Sequence, residues 1–397
     1  MNRWYIFLTI ILCIYSALHL YLLIKVRRAY YLESWNYLLI VVSLVFLMTA
    51  PMQARVLESQ NHHLLALILT WIGFLWMGGL FIWLWFSLIM DAYHIAVMVL
   101  QRILCTDLIH LLLSRRQSLS LTFMITFGLM IYGAYAAQNI SIEQHTITSK
   151  KIPASADPLR IVQISDLHLG QMIFPGRLDR IINAINKAEA DIVVSTGDLV
   201  DGHIFDENRI INKMVGLKAK MGKFAVTGNH ESYAGLAYAT ELTQALGFTL
   251  LQGKKIQMAT NITIVGVDDP AVKESATPGE AEILSSVPAK RFTILLKHQP
   301  RLDSTSKGRF DLQLSGHTHQ GQIFPFSLVV RWAYPLFGGM YPIPQGGRIY
   351  VSPGTGTWGP PIRLGAPPEI TVFDLLPPQK SAGQPAPAPM KQEKALK

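Results

Sequence analysis

Four long uncharged apolar runs in the first 142 residues constrain this 397-residue chain more than any other feature. They cover residues 4–24, 35–54, 64–90 and 118–142. Each is long enough to cross a hydrocarbon core, which takes roughly 20 helical residues. The first run could instead be a signal peptide, but it lacks a convincing small-residue cleavage site and further spans follow it. The sequence therefore predicts an N-terminal α-helical transmembrane bundle over residues 1–142.

Basic residues in the short loops orient these spans. One cluster follows the first run and another lies between the third and fourth runs: Lys25, Arg27 and Arg28, then Arg102, Arg115 and Arg116. The positive-inside rule places both clusters in the cytoplasm, and the two crossings between them agree with four spans. We therefore expect a multi-pass protein of the cell inner membrane, with everything after the fourth span outside the cytoplasm.

The segment 91–116 is apolar, yet Arg102 and Asp107 lie near its middle. Charges at bilayer depth are costly. Its polar residues fall roughly along one helical stripe, so we predict a helix lying in the cytoplasmic interface and not a fifth span. A fifth span would instead place the rest of the chain in the cytoplasm.

The composition agrees with a membrane protein. Half of the residues are apolar, only 15% are charged, and the mean hydropathy is +0.29, which is too apolar for an ordinary soluble domain. The net charge of +9 suggests anionic partners, but basic cytoplasmic flanks explain it without nucleic-acid binding, and none is expected. Both cysteines, Cys13 and Cys105, lie in the apolar part, so the remainder has no cysteine-ligated metal.

From residue 143 the pattern changes to alternating strands and helices. Strands are predicted over 159–165, 191–195, 224–226, 248–251, 256–258, 262–267, 292–296 and 312–314, and helices over 176–190, 208–218 and 236–246. This order predicts a two-sheet α/β sandwich over 143–376. The last residues, 377–397, are rich in Pro, Ala, Gln and Lys and are predicted to form a disordered tail.

Ligand-type side chains follow the ends of these strands, where open α/β sheets build their sites. In chain order they are Asp166, His168, Asp198, Asn229, His230, Glu231, His298, His317 and His319. Such oxygen and nitrogen donors suit Mn, Fe, Zn, Ni or Co, and we favour Mn. Two such cations need a bridging carboxylate and can clamp both the attacking and the leaving oxygen of a phosphoryl transfer. Glycines at 197, 228 and 316 would let the backbone approach the metals closely.

Taken in order, these blocks resemble the calcineurin-like metallophosphoesterases, whose pattern is D-x-H, GD, GNH-[D/E], H and G-H-x-H. All five blocks are present within residues 159–376. The resemblance implies a four-layer αββα sandwich holding two divalent cations. It implies that Asp166, His168 and His319 hold one metal, that Asn229, His298 and His317 hold the other, and that Asp198 bridges them. It also makes Asp198 and His230 catalytic, with His230 protonating the leaving oxygen, Glu231 orienting it, and Asn229 and His230 contacting substrate.

A later stretch narrows the resemblance. Residues 350–356, 361–363 and 368–370 are similar to the membrane-associated bacterial branch of YkuE- and YaeI-type phosphodiesterases. Gln320 stands where that branch usually has glycine, so we expect altered loop geometry there without loss of metal. The implied activity is hydrolysis of phosphate mono- or diesters, and the anchor suggests a membrane-proximal or lipid-linked substrate.

Three other functions remain open from the sequence. A UDP-2,3-diacylglucosamine pyrophosphohydrolase would need its catalytic domain in the cytoplasm. A catalytically inert, metal-bound interaction module would need no working His230. A channel or sensor would use the second domain for regulation only.

The sequence leaves two interpretations open for His203, Arg363 and the segment 331–341. His203 is either a solvent-exposed loop residue or a substrate contact, and His145 is predicted to lie in a linker. Arg363 either binds phosphate or pairs with an acid such as Glu369. The aromatic segment 331–341 either packs in the core or dips into the bilayer and admits a lipid.

Overall fold

The computed structural model describes residues 3–173, 176–204, 206–272, 277–344 and 346–378. Four long helices come first: α1 (Arg3–Ala29), α2 (Ser34–Ser59), α3 (His63–Leu104) and α4 (Arg115–Gln138). All four are long and apolar enough to cross a membrane, as the sequence predicted. The predicted tail lies outside the described residues from residue 379 onward.

The basic clusters lie at one end of this bundle. Arg116 at the start of α4 donates from Nε to the carbonyl oxygen of Ala29 at the end of α1, 2.9 Å away. Lys25 on α1 forms an ion pair with Asp91 on α3 at the same level. The four helices therefore alternate in direction, and the chain leaves α4 at the end opposite the basic residues.

The prediction of a separate interfacial helix over 91–116 is wrong. Helix α3 continues for 42 residues to Leu104 because neither proline nor glycine interrupts it after Gly79. The charge at Asp91 is accommodated by its ion pair with Lys25 and by the hydroxyl of Tyr21, which donates to Asp91 Oδ2 at 2.6 Å. A short 3-10 turn, Ile109–Leu111, then connects α3 to α4.

Two six-stranded sheets make up the second part of the chain. The first has the order β1 (Ser141–Thr148), β12 (Glu369–Leu376), β2 (Leu159–Ile164), β3 (Ile192–Ser195), β4 (Gly222–Ala225), β5 (Thr249–Leu250). The second has the order β10 (Gly339–Pro342), β11 (Arg348–Val351), β9 (Leu312–Ser315), β8 (Phe292–Leu296), β7 (Ile262–Gly266), β6 (Lys254–Gln257). Strands β2 to β5 are parallel, as are β7, β8, β9 and β11. Their carboxyl ends therefore meet along one edge of each sheet.

Six further helices complete the fold: α5 (Arg177–Lys187), α6 (Glu207–Val215), α7 (Asn229–Ala234), α8 (Leu236–Ala245), α9 (Glu280–Ser285) and α10 (Phe326–Ala333). Buried side chains such as Ile161, Ile264 and Phe373 form the core between the two sheets. A second core joins the first sheet to α5, α6 and α8, and a third joins the second sheet to α9. The predicted αββα sandwich is confirmed.

The junction between the two parts differs from the prediction. Helix α4 ends at Gln138, and β1 begins at Ser141, before the predicted boundary at 143. His145 therefore lies in a strand and not in a linker, with its ring stacked on Phe373 at 5.6 Å between centroids. Strand β1 is an edge strand that pairs in parallel with β12, and its largely exposed polar side chains gave the sequence no strand signal.

The sandwich packs against the bundle at the end remote from the basic residues. The Gln171 amide donates to Glu58 Oε1 of α2 at 2.8 Å, and Thr70 of α3 donates to Gln171 Oε1 at 3.0 Å. The backbone N–H of Arg363 donates to the carbonyl oxygen of Gly133 in α4 at 3.0 Å. The two parts are therefore in direct contact through three of the four long helices.

Candidate metal centre

The structure brings all eight predicted metal and catalytic residues together at one edge of the sandwich. Each follows the carboxyl end of a strand: Asp166 and His168 after β2, Asp198 after β3, Asn229 and His230 after β4, His298 after β8, and His317 and His319 after β9. Five different strands thus converge on the same edge of the sandwich. The placement follows from the parallel arrangement of those strands.

One cluster consists of Asp166, His168 and His319. Its two imidazole Nε2 atoms lie 3.0 Å apart, and His319 Nε2 lies 3.3 Å from Asp166 Oδ1. All three side chains are buried, and their candidate ligand atoms lie within 4.8 Å of one another. Two imidazole nitrogens and a carboxylate oxygen at these distances form a donor set that suits one divalent cation.

A second cluster consists of Asp198, His298 and His317, with Asn229 beside it. His298 Nε2 lies 3.1 Å from His317 Nδ1, 3.1 Å from Asp198 Oδ2 and 3.2 Å from Asn229 Oδ1. Asp198 Oδ2 also lies 3.9 Å from His168 Nε2 in the first cluster. Asp198 is therefore the carboxylate between the two clusters, as the family resemblance implies.

The charge states of Asp166, Asp198, His317 and His319 fit divalent cations. His298 differs, because burial would lower its pKa but the charge of Asp198 outweighs burial and raises it. Burial alone would raise the pKa of Asp166, but His319 outweighs it and holds that pKa below its usual range; His298 does the same for Asp198. Burial lowers the pKa of His317 to about 3 and that of His319 to about 4. Ionised carboxylates and neutral imidazoles are the protonation states that ligate metals.

Several candidate ligands share an uncommon left-handed backbone conformation. Five candidate ligands have left-handed backbone angles: Asp166 (φ 52°), His168 (φ 49°), Asp198 (φ 51°), His317 (φ 72°) and His319 (φ 48°). Such angles cluster at functional sites, where the surrounding structure pays their cost. A Cβ at Gly316 would overlap a carboxylate oxygen of Asp166, and one at Gly228 would overlap Asp198. At these two glycines the backbone therefore approaches two candidate ligands more closely than a residue with a side chain would allow.

His230 lies beside both clusters and is oriented by a residue that the sequence analysis missed. Its backbone N–H donates to Asp198 Oδ1 at 2.9 Å, and its ring Nδ1 lies 2.6 Å from Asp201 Oδ1. The other oxygen of Asp201 lies 3.3 Å from His168 Nδ1. Burial lowers the pKa of His230, but the hydrogen bond to Asp201 and the charge of Asp198 outweigh it and raise the pKa to about 9.

Glu231 does not orient His230, so that expectation is wrong. Its buried carboxylate accepts the backbone N–H groups of Leu199 at 2.7 Å, Gly228 at 2.7 Å, and Asp198 and Val200 at 3.1 Å each. Glu231 therefore ties the turn after β3 to the turn after β4. It holds the backbone that carries Asp198 and not the imidazole.

Arg363 follows neither of its two predicted roles. The side chain is buried and donates to backbone carbonyl oxygens, including those of Gly356 at 2.6 Å and Pro353 at 2.8 Å. The Nη2 atom of Arg363 lies 3.2 Å from His319 Nδ1. Glu369 does not pair with Arg363 and instead accepts a hydrogen bond from the hydroxyl of Tyr350. Arg363 thus supports the loop behind the first cluster.

The loop after His319 contains Gln320 and the aromatic segment 331–341, for which the sequence analysis made predictions. Gln320 takes a left-handed conformation (φ 47°), and the candidate ligand atoms of Asp166, His168 and His319 remain within 4.8 Å of one another. Within the aromatic segment, Leu336 and Tyr341 pack on the third core, whereas Trp332 is 86% exposed. The segment is therefore divided between core and surface.

Tyr334 and His203 complete the surroundings. The hydroxyl of Tyr334 lies 2.8 Å from His317 Nε2, a contact that no sequence pattern predicted. His203 is exposed and packs against the ring of Tyr238, 4.3 Å between centroids. A cavity of about 550 Å³ opens from Asp198 and His230 towards the helical bundle, and His203 does not line it.

Comparison with known proteins gives consistent results. A family model of calcineurin-like phosphoesterases matches residues 159–321. An uncharacterized metallophosphoesterase of Aquifex aeolicus is 34% identical over 256 residues, covering 63% of this chain and 98% of the relative. The uncharacterized metallophosphoesterase YkuE of Bacillus subtilis is 36% identical over 252 residues, covering 59% and 85%. A transmembrane protein with metallophosphoesterase domain from Danio rerio is 32% identical over 270 residues, covering 64% and 62%. The resemblance drawn from the motifs is confirmed.

Proposed function

The chain belongs to the metallophosphoesterase family of the calcineurin-like type, and we propose that it works as a membrane-anchored phosphoesterase with two divalent cations. Members of this family are metal-dependent hydrolases of phosphate esters, and four helices of this chain are long and apolar enough for a membrane. One observation carries the proposal. Asp198 belongs to one cluster of candidate ligands and lies 3.9 Å from His168 of the other, and His230 lies next to both.

We assign the two cations to the two clusters. Asp166, His168 and His319 would hold one, Asn229, His298 and His317 the other, and Asp198 both. When bound, the pair supplies Lewis acidity towards the phosphate oxygens and makes water a competent nucleophile near neutral pH. The donor set of carboxylate, amide and imidazole suits Mn²⁺, which we propose as the working metal.

His230 is the residue that we assign to proton transfer. Because Asp201 engages Nδ1, Nε2 is the ring nitrogen available to a substrate oxygen. In the hydrolysis, a water oxygen forms a bond to phosphorus while the ester P–O bond breaks. His230 gives its proton to the departing oxygen, and the proton lost by the attacking water restores it.

An activity assay on the full chain in detergent tests this proposal. The protein is stripped of metal, supplied in turn with Mn²⁺, Zn²⁺, Co²⁺, Ni²⁺ or Fe²⁺, and given bis(4-nitrophenyl) phosphate or 4-nitrophenyl phosphate. We expect metal-dependent turnover, highest with Mn²⁺. His230→Ala should lower kcat by about 100-fold or more, the usual range for a lost acid or base. Asp198→Asn, which removes the carboxylate assigned to both cations, should lower it at least as far.

Matched controls use the same substitutions away from the pocket. Asp179→Asn, at a surface ion pair with Lys213, and His203→Ala should both keep wild-type turnover. Turnover that survives Asp198→Asn would contradict the assignment. A folded protein that binds two metals and hydrolyses neither compound would support the inert interaction module instead.

We also propose that the sandwich lies outside the cytoplasm. Both basic clusters lie at the bundle end opposite the sandwich, which fits the positive-inside rule. A membrane-impermeant maleimide tests this in intact cells of a Gram-negative host with a permeabilised outer membrane. In a Cys13→Ala background, the exposed Cys105 should resist labelling until the inner membrane is opened. With Cys105→Ala as well, Lys187→Cys on the sandwich should be labelled at once; the opposite pattern would favour the cytoplasmic pyrophosphohydrolase.

A further inference from the structure

The cavity that opens from the metal centre is apolar along most of its length. At one end it reaches Asp198, Asn229 and His230, and at the other it is lined by side chains of α1 and α3. Its volume of about 550 Å³ is within the range of roughly 300–1,000 Å³ found for ligand pockets. One continuous space therefore connects the phosphate end of the site to two helices that we place in the membrane.

The depth of the cavity follows from the helix geometry. Leu18 and Ile11 line it, seven and fourteen residues before Lys25 on α1. At the rise of an α-helix these positions lie roughly 10 and 21 Å from the charged end of the bundle. Met77 lies at a similar distance from Asp91 on α3. Because a hydrocarbon core is about 30 Å thick, the cavity lies at the depth of acyl chains.

The sandwich contributes an apolar wall at the same level. Phe326 and Val330 of α10 line the cavity, and Phe326 packs edge-on against Phe81 of α3, 6.2 Å between centroids. The outer face of the same helix is apolar and exposed, with Leu328 at 62% and Trp332 at 86%. An exposed apolar helix with an aromatic residue beside candidate spans is typical of an element lying in the lipid interface.

We propose that this cavity binds the hydrocarbon chain of the substrate, so that the enzyme hydrolyses phosphate esters of membrane lipids. The inference rests on the proposed function, since it needs the metal centre to act on phosphate. The phosphate lies at His230 and Asp198, and the chain lies between α1, α3 and α10. Ile14 is 58% exposed at the rim of the cavity, which gives a chain a lateral way in from the bilayer.

The two ends of the cavity fit such a molecule and no simpler one. A soluble phosphate ester would leave the apolar walls formed by residues such as Ile14, Met77 and Val330 without a partner. A neutral hydrocarbon would leave the charged end, with Asp198 and His230, without one. A lipid phosphate ester satisfies both ends. Its phosphate meets the charged end, and each methylene group that the apolar walls bury contributes favourable free energy.

A chain-length series tests the proposal with the full protein in phosphatidylcholine nanodiscs. The probes are ethyl, octyl and hexadecyl 4-nitrophenyl phosphate, each of which releases 4-nitrophenol when water attacks phosphorus and leaves the alkyl phosphate. We expect kcat/KM for the hexadecyl diester to exceed that for the ethyl diester by at least tenfold. Ile14→Trp and Val330→Trp, which fill the cavity, should remove most of that preference by lowering kcat/KM for the hexadecyl diester.

Neighbouring residues supply matched controls. Leu12 and Val329 are 53% and 54% exposed and do not line the cavity, so Leu12→Trp and Val329→Trp should keep the preference for the long chain. These controls change the membrane surface to the same extent and therefore correct for partitioning of the substrate. Equal loss in all four variants, or no chain-length preference in the wild type, would overturn the proposal. Failure on every diester and on 4-nitrophenyl phosphate would instead overturn the proposed phosphoesterase function.

A labelling experiment tests occupancy without turnover. Hexadecyl phosphate carrying a diazirine near the chain terminus is photolysed with metal-free protein in nanodiscs. We expect labelled peptides from α1, α3 and α10, competition by dodecyl phosphate, and no competition by inorganic phosphate. Labelling confined to the outer face of α2 would show that the probe does not enter the cavity and would overturn the proposal.

Discussion

The sandwich and the helical bundle both depend on closely packed glycines, but for different purposes. A Cβ at Gly316 would overlap the carboxylate of Asp166, so this glycine lets the backbone come close to a candidate metal ligand. A Cβ at Gly133 of α4 would lie 3.1 Å from Ile362 Cβ, so that glycine lets the sandwich rest on the bundle. The first kind of contact serves the chemistry and the second serves docking.

This difference separates the two tasks of the molecule. All candidate ligands and His230 belong to the sandwich and are held by turns within it. The cavity that leads to them belongs to both parts, because α1 and α3 form one side and α10 forms another. Changes in the sandwich turns should therefore affect turnover of every substrate, and changes at the docking contacts should affect stability and access.

The largest effect is expected for Gly316→Ala. The added methyl group displaces Asp166 or Ser165, and an error of about 1 Å in a catalytic group can cost about 100-fold in rate. We expect at least that loss of kcat on bis(4-nitrophenyl) phosphate, together with less bound metal per chain by elemental analysis. The control is Gly128→Ala on α4, where a Cβ would meet no atom within 4 Å. Full activity in Gly316→Ala would show that the close approach is not needed.

A smaller effect is expected for Asp201→Asn, which sharpens the assignment within the sandwich. Asp201 contacts the Nδ1 atoms of His168 and His230 and would lose its charge without losing its size. Residues that orient metal ligands typically contribute about 10- to 100-fold. We expect a fall in kcat of that size with little change in KM. A purely structural role would instead lower the melting temperature and leave the kcat of the folded fraction intact; Asp179→Asn is the matched control.

The smallest effect on turnover is expected for Gly133→Leu at the docking contact. Overpacking against Ile362 should cost about 1–3 kcal/mol of stability. The melting temperature in detergent should fall by several degrees relative to Gly128→Leu, while turnover of the ethyl diester stays within twofold. If turnover of this small substrate fell tenfold, the separation between chemistry and docking would break.

The positions of the candidate metal ligands were predictable because each follows a strand that the sequence composition identifies. Asp166 comes directly after an apolar β-branched run, and parallel strands bring such ends together. Asp201 was missed although it stands three residues after Asp198, because a lone acid in a loop carries no signal until its partners are placed. Strand β1 was missed because an edge strand with exposed polar side chains resembles a linker.

The bundle was predictable in its helices and not in its contacts. Apolar length alone identifies a span, so the four helices were found. Asp91 was read as a boundary because its partner, Lys25, lies 66 residues away, and the length of α3 was therefore underestimated. The cavity depends on which faces of α1, α3 and α10 meet, and such long-range packing leaves no pattern in a single sequence.

The left-handed backbone at five candidate ligands restricts which other donor atoms this centre could use. Among residues with a side chain, Asn, Asp and His adopt that conformation several times more often than others do. Exchanging His317 or His319 for cysteine, or Asp198 for glutamate, would therefore change the local backbone as well as the ligand atom. The turns themselves select short oxygen and imidazole donors, so conversion of this site to a thiolate centre would require rebuilding the loops that carry it.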